Sequence, residues 1–151
     1  MDAATEPSQR LALALHRATG LVDRVADAYL QPAHGLSISM FSAMVAIDAV
    51  GPARQSTIAR ALDVTRAAVT QRLVELVSRG LVDVVPDPLD SRANLVSLSE
   101  SGRRVLAEAW AGLARSDDGL ERGVDLTALQ TALDALIANA ERYLADREAT
   151  R

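Results

Sequence analysis

Between residues 55 and 102 the chain switches its apolar period in an order that few folds accommodate. Residues 55–62 read as a short helix, and Asp63, Val64 and Thr65 as a tight turn. Residues 66–79 read as an amphipathic helix that Gly80 closes, since glycine takes up the left-handed backbone of a helix end at little cost. "LVDVV" then reads as a strand, "PDPLDSR" as a loop stiffened by Pro86 and Pro88, and "ANLVSLS" as a second strand. In the last segment Val96 and Leu98 alternate with Leu95 and Ser97, the period of a half-buried strand. Helix, turn, helix and two-stranded ribbon, in that order, make a winged helix-turn-helix. One face of such a unit fits the DNA major groove, and its ribbon tip reaches the neighbouring groove or the backbone.

The flanks extend this core. Residues 8–30 predict a first helix, broken at Gln31-Pro32 because proline lacks the amide hydrogen and crowds the preceding turn. Ser37 or Ser39 can cap a second helix that ends before Gly51-Pro52. Ser99 or Ser101 can cap another, reaching residue 114, and a last helix spans about residues 125–146. In the first helix Leu11, Leu15, Ala18, Val22, Val25 and Tyr29 step by 4, 3, 4, 3, 4. In the last, Leu126, Leu129, Leu133, Leu136, Ala140 and Tyr143 step by 3, 4, 3, 4, 3. Both are seams of coiled-coil type. The expectation is a mainly α, single domain over residues 1–151. Residues 8–31 and 101–146 supply dimerisation helices, and residues 37–100 form the winged lobe.

Bulk properties exclude several classes. At 151 residues with 49% apolar content, the chain is about one domain and can bury a core. No apolar run approaches the roughly 20 residues of a membrane span, and "MDAATEPSQR" lacks the order of a signal peptide. A soluble, cytoplasmic protein is expected. There is no cysteine, which removes disulfides, thiol sensing and cysteine-based metal sites. No glycine-rich phosphate loop, metal cluster or nucleophile–base pair is visible, and His16 and His34 stand alone, so neither an enzyme nor a cofactor is expected. The net charge of −4 disfavours a generic polyanion binder. Residues 53–104, however, hold eight arginines against six acids, so the acidity lies in the flanks.

Within the second helix of the turn unit, Val69, Leu73, Leu76 and Val77 are expected to face inward. Arg66, Ala67, Thr70 and Gln71 then occupy the outer face of the N-terminal half, the part that meets base edges in helix-turn-helix proteins. Arginine suits guanine edges and glutamine adenine edges. Thr65 is the expected cap, and amides there can hold a phosphate. Ala59 is small where the two helices cross, and Asp63 can adopt the left-handed turn. Arg54, Gln55 and Arg72 complete the helical candidates. Asp90 and Arg92 belong to the ribbon tip, where the acid can hold the arginine extended toward a narrow, negative minor groove.

These residues carry a resemblance. "ALDVTRAAVTQRLVELVSRGLV", "PDPLDSR" and "LSESG" together resemble the multiple antibiotic resistance regulator (MarR) family of bacterial transcription factors. The specific part is the wing signature Asp87, Pro88, Asp90, Arg92, followed by Leu98, Ser99 and Gly102. The resemblance implies a homodimer on a pseudo-palindromic double-stranded operator, usually as a repressor. It also implies a small aromatic or phenolic effector held between the dimerisation helices and the winged lobe. Arg17, Met44 and Trp110 lie on helices that can line such a pocket. The chain departs from the family by being less basic at Ala67, Ala68, Gln71, Glu75, Val84, Val85 and Ser91. Fewer phosphate contacts imply weaker binding and a shallower salt dependence. The alternative is a winged-helix module that contacts protein and binds DNA weakly or not at all.

Overall fold

The computed structural model describes residues 5–150. Residues 1–4, which include the start of the segment read above for a leader, lie outside the described residues. The order is α1 (Thr5–His34), α2 (Ile38–Val50), α3 (Gln55–Ala61), α4 (Arg66–Ser78), β1 (Val82–Asp87), β2 (Asp90–Leu98), α5 (Glu100–Arg115) and α6 (Leu126–Ala149). The fold is mainly helical with one antiparallel two-stranded wing, as the sequence predicts. Among the described residues no single helix is long and apolar enough to cross a membrane.

Two compact units divide the chain near Ser116. The first contains the core. α2 is apolar on all sides, the pattern of a helix enclosed by others, and it buries Met40, Phe41, Ala43, Met44, Ala46 and Ile47. Around it lie Leu30, Ile58, Val69, Leu73, Leu76, Val96, Leu98 and Leu106, all buried. Each such side chain contributes about 1.5–3 kcal/mol of burial. Ser37 caps α2 by accepting from the Met40 amide. Ser99 caps α5 by accepting from the Gly102 amide. Gly102 lies so close to the chain just before β1 that a Cβ there would overlap the Leu81 carbonyl. The second unit carries α6, capped by Asp125. No residue of α6 is buried, although Leu126, Leu129, Leu136 and Tyr143 are 40–60% exposed apolar side chains on it.

Three expectations are corrected. α1 does not stop at Gln31-Pro32 but continues to His34 with Pro32 inside it. The ring fixes a helical φ and removes only one hydrogen bond, in the last turn. The terminator is Gly35 (φ 63°), whose amide donates to the Gln31 carbonyl at 2.9 Å. "PDPLDSR" is mostly strand, since β1 runs through Pro86 to Asp87 and β2 begins at Asp90. Among the described residues β1 pairs only with β2, and proline is tolerated on such an edge. Pro86 faces Asn94, the register then slips, and Asp87 faces Asp90. Val77 is 44% exposed rather than inward, because Val69, Leu73 and Leu76 already fix the buried side of α4.

Candidate nucleic-acid interface

The turn between α3 and α4 is built from two local preferences. Asp63 takes the left-handed conformation (φ 51°) that most side chains avoid. The chain then closes α3 through the Val64 amide on the Ala59 carbonyl at 3.0 Å. Two residues on, Thr65 Oγ1 accepts from the Ala68 amide at 3.2 Å and starts α4. Between the two helices, Thr70 Oγ1 lies 2.9 Å from Gln55 Oε1 and 3.0 Å from the Arg66 carbonyl. This fixes the N-terminal half of α4 against α3.

The wing is fixed to the same place by a contact that no local pattern announces. Ala53 pairs with Val96, its amide donating to the Val96 carbonyl and its carbonyl accepting in return, at 3.0 and 2.8 Å. The bridge sets Arg54 beside the ribbon. Arg54 Nε and Nη2 donate to Asp87 Oδ2 at 2.8 and 2.6 Å, and Nη2 stands 3.4 Å from Asp90 Oδ2. The other oxygen of Asp87 accepts from the Leu89 amide at 2.9 Å and shapes the wing tip. Asp90 Oδ1 in turn accepts from the Arg92 amide at 3.1 Å. The acid thus holds the backbone of Arg92 and faces the guanidinium of Arg54, where a pairing with the Arg92 side chain was expected. Asp87 is 7% exposed, and the Leu89 amide, then the Arg54 guanidinium, hold its carboxyl below the ordinary value of 3.8. Arg54 is correspondingly raised, chiefly by its hydrogen bonds to Asp87.

One cleft of about 270 Å³ gathers the arginines. Its lining is Arg54, Gln55, Ser56, Arg66, Arg92, Ala93 and Asn94, with no acid. Arg66 and Arg92 are exposed and, among the described residues, unpaired with any acid. The cap Thr65 and, on α4, Ala67, Thr70 and Gln71 are exposed. Arg72 points elsewhere: it is half-buried and lines a second cleft of about 310 Å³ with Asp23, Ile38, Ser39, Ser42, Leu62 and Val64. Sequence reasoning named Asp87 only as part of a signature and missed Ser56 and Asn94.

The pocket candidates are dispersed. Arg17 is exposed on α1, and Met44 has no exposed surface. Trp110 is 50% exposed, with its ring edge-on to Phe41 at 5.0 Å between centroids. The 310 Å³ cleft is lined by none of the three. Among the described residues no cluster of acids and histidines could hold a metal ion.

Comparison with known proteins places this geometry in context. The family model described as "MarR family" matches residues 34–93. An uncharacterized HTH-type transcriptional regulator of Mycobacterium bovis is 32% identical over 110 residues, which cover 65% of this chain and 77% of that protein. Among solved structures, the transcriptional repressor CouR bound to a 23-mer DNA duplex superposes with a TM-score of 0.76 at 28% identity. The match covers 93% of this chain and 99% of CouR. The regulator BldR of Sulfolobus solfataricus shares the fold, with a TM-score of 0.78 at 24% identity over 92% of this chain and 99% of BldR.

Proposed function

The chain belongs to the MarR family of winged helix-turn-helix, DNA-binding transcriptional regulators, and from that premise we propose that it works as a homodimeric, sequence-specific repressor released from DNA by a small ligand. The observation that carries the DNA side is the acid-free cleft where unpaired Arg66 and Arg92 converge beside the exposed half of α4. α4 enters the major groove, Arg92 reaches the adjacent minor groove, and Arg66 neutralises phosphate at the groove edge. Arg54 acts mainly by holding the wing, since two carboxylates already face its charge. CouR, the more similar in sequence of the two solved structures above, is a repressor seen on a DNA duplex, which supports the same use of the fold here.

The dimer is supported by the apolar surface left on the terminal helices. Leu11, Leu13, Leu15, Leu21 and Val22 on α1 and Leu126, Leu129, Leu136 and Ile137 on α6 are all at least 36% exposed. Surfaces of that kind mark association sites. Two copies must set their α4 helices about 34 Å apart to meet successive major grooves. The 310 Å³ cleft supports the effector, being of a size for a small molecule and lined partly by Leu62 and Val64 of the turn that carries α4. A ligand that prefers the cleft opened would shift the population away from the DNA-fitting spacing.

Arg66→Ala and Arg92→Ala test the assignment. Each is expected to weaken operator binding about tenfold or more, with melting temperature and oligomeric state unchanged. Unchanged affinity in both variants would remove the cleft from the DNA interface.

A further inference from the structure

We propose that the outward face of α4 reads A·T base pairs, through thymine methyl groups and one adenine edge. The proposal rests on the DNA-binding function above and specifies the chemistry of the half-site. Val69, Leu73 and Leu76 are buried and fix the inward side of α4. At about 100° per residue, Ala67, Gln71 and Val74 point the opposite way. Ala67 and Gln71 are exposed, and Val74 is 68% exposed. Thr70 flanks them with its hydroxyl turned to Gln55 and the Arg66 carbonyl, which leaves its methyl as the group to meet a ligand.

The stripe therefore presents methyl groups and one carboxamide, without a cation. Arg66 lines the cleft toward the wing, and Arg72 lies in the cleft with Asp23. In the major groove guanine offers two acceptors, best met by an arginine fork, and this stripe has none. Thymine offers its 5-methyl to apolar side chains, and adenine offers an acceptor and a donor that match a glutamine amide. Val74, 68% exposed, carries this apolar line about one turn beyond Gln71. Glu75 is exposed beside the stripe and adds no cation to it.

The test is selection of bound duplexes from a random library by the full chain, with sequencing. Half-sites rich in adjacent A·T pairs are expected. Replacing their thymines by uracil removes only the 5-methyl group and should weaken binding about fourfold for each methyl that α4 touches. Gln71→Ala should relax the preference at one A·T position, while Val74→Ala should shrink the uracil effect. Enrichment of G·C half-sites, or indifference to uracil, overturns the proposal and leaves DNA binding standing. No enrichment of any sequence overturns both.

Discussion

Arg54 and Asp87 show how much one long-range pair decides at the residue scale. They are 33 positions apart, and the bridge from Ala53 to Val96 that joins them leaves no trace in local periodicity. Sequence reading groups Arg54 with the DNA contacts, and the structure adds the two carboxylates that face it at the edge of the same cleft. The left-handed Asp63 and the Thr65 cap were legible because each depends on one residue's own preferences. Asp87→Asn should loosen the wing and lower the melting temperature. Because the folded carboxyl lies below 3.8, its contribution is complete above that pH and is lost as pH falls through the lowered value. The melting-temperature gap between wild type and Asp87→Asn should thus be widest near neutrality and close in strong acid. A gap that widens in acid would reverse the sign. Arg92→Ala removes a charge with no acid partner, so it should also lower the slope of log affinity against log salt by about one for each phosphate that Arg92 neutralises.

At the scale of elements, the helices and the wing were legible from period and caps, while their ends were not. α1 passes through Pro32 because one missing donor in a final turn matters less than the left-handed stop that Gly35 provides. The ribbon is longer than its prolines suggest because Pro86 sits on an edge strand, where the missing donor disrupts no ladder. Val77 is expected on the inward face with Val69, Leu73 and Leu76, yet those three already form the buried stripe of α4. The approach of α5 to the chain just before β1 depends on Gly102, where any Cβ would overlap the Leu81 carbonyl. Gly102→Ala should destabilise the chain by about 1–3 kcal/mol, read as a fall in melting temperature. No change would mean that the backbone yields at that point.

At the scale of the whole molecule, the two seams at opposite ends of the chain are visible as heptads, and most of their leucines stay exposed in the single chain. Leu15 on α1 and Leu136 on α6 are 36% and 40% exposed. If a second copy buries them, Leu15→Glu and Leu136→Glu should each shift a dimer toward monomer in sedimentation at micromolar concentration. A wild-type monomer under those conditions would contradict the dimer. Dimerisation and DNA binding are then linked, because two protomers supply two sets of Arg66 and Arg92. The most direct measurement is titration of the purified chain, across salt, with the DNA upstream of its own coding sequence and with an unrelated fragment of equal length. Four such arginines, two at groove edges and two in minor grooves and each displacing about one counterion, predict tight binding to the first fragment, with a slope of about −3 to −4 in log affinity against log salt. Equal, feeble binding to both fragments would contradict a sequence-specific regulator.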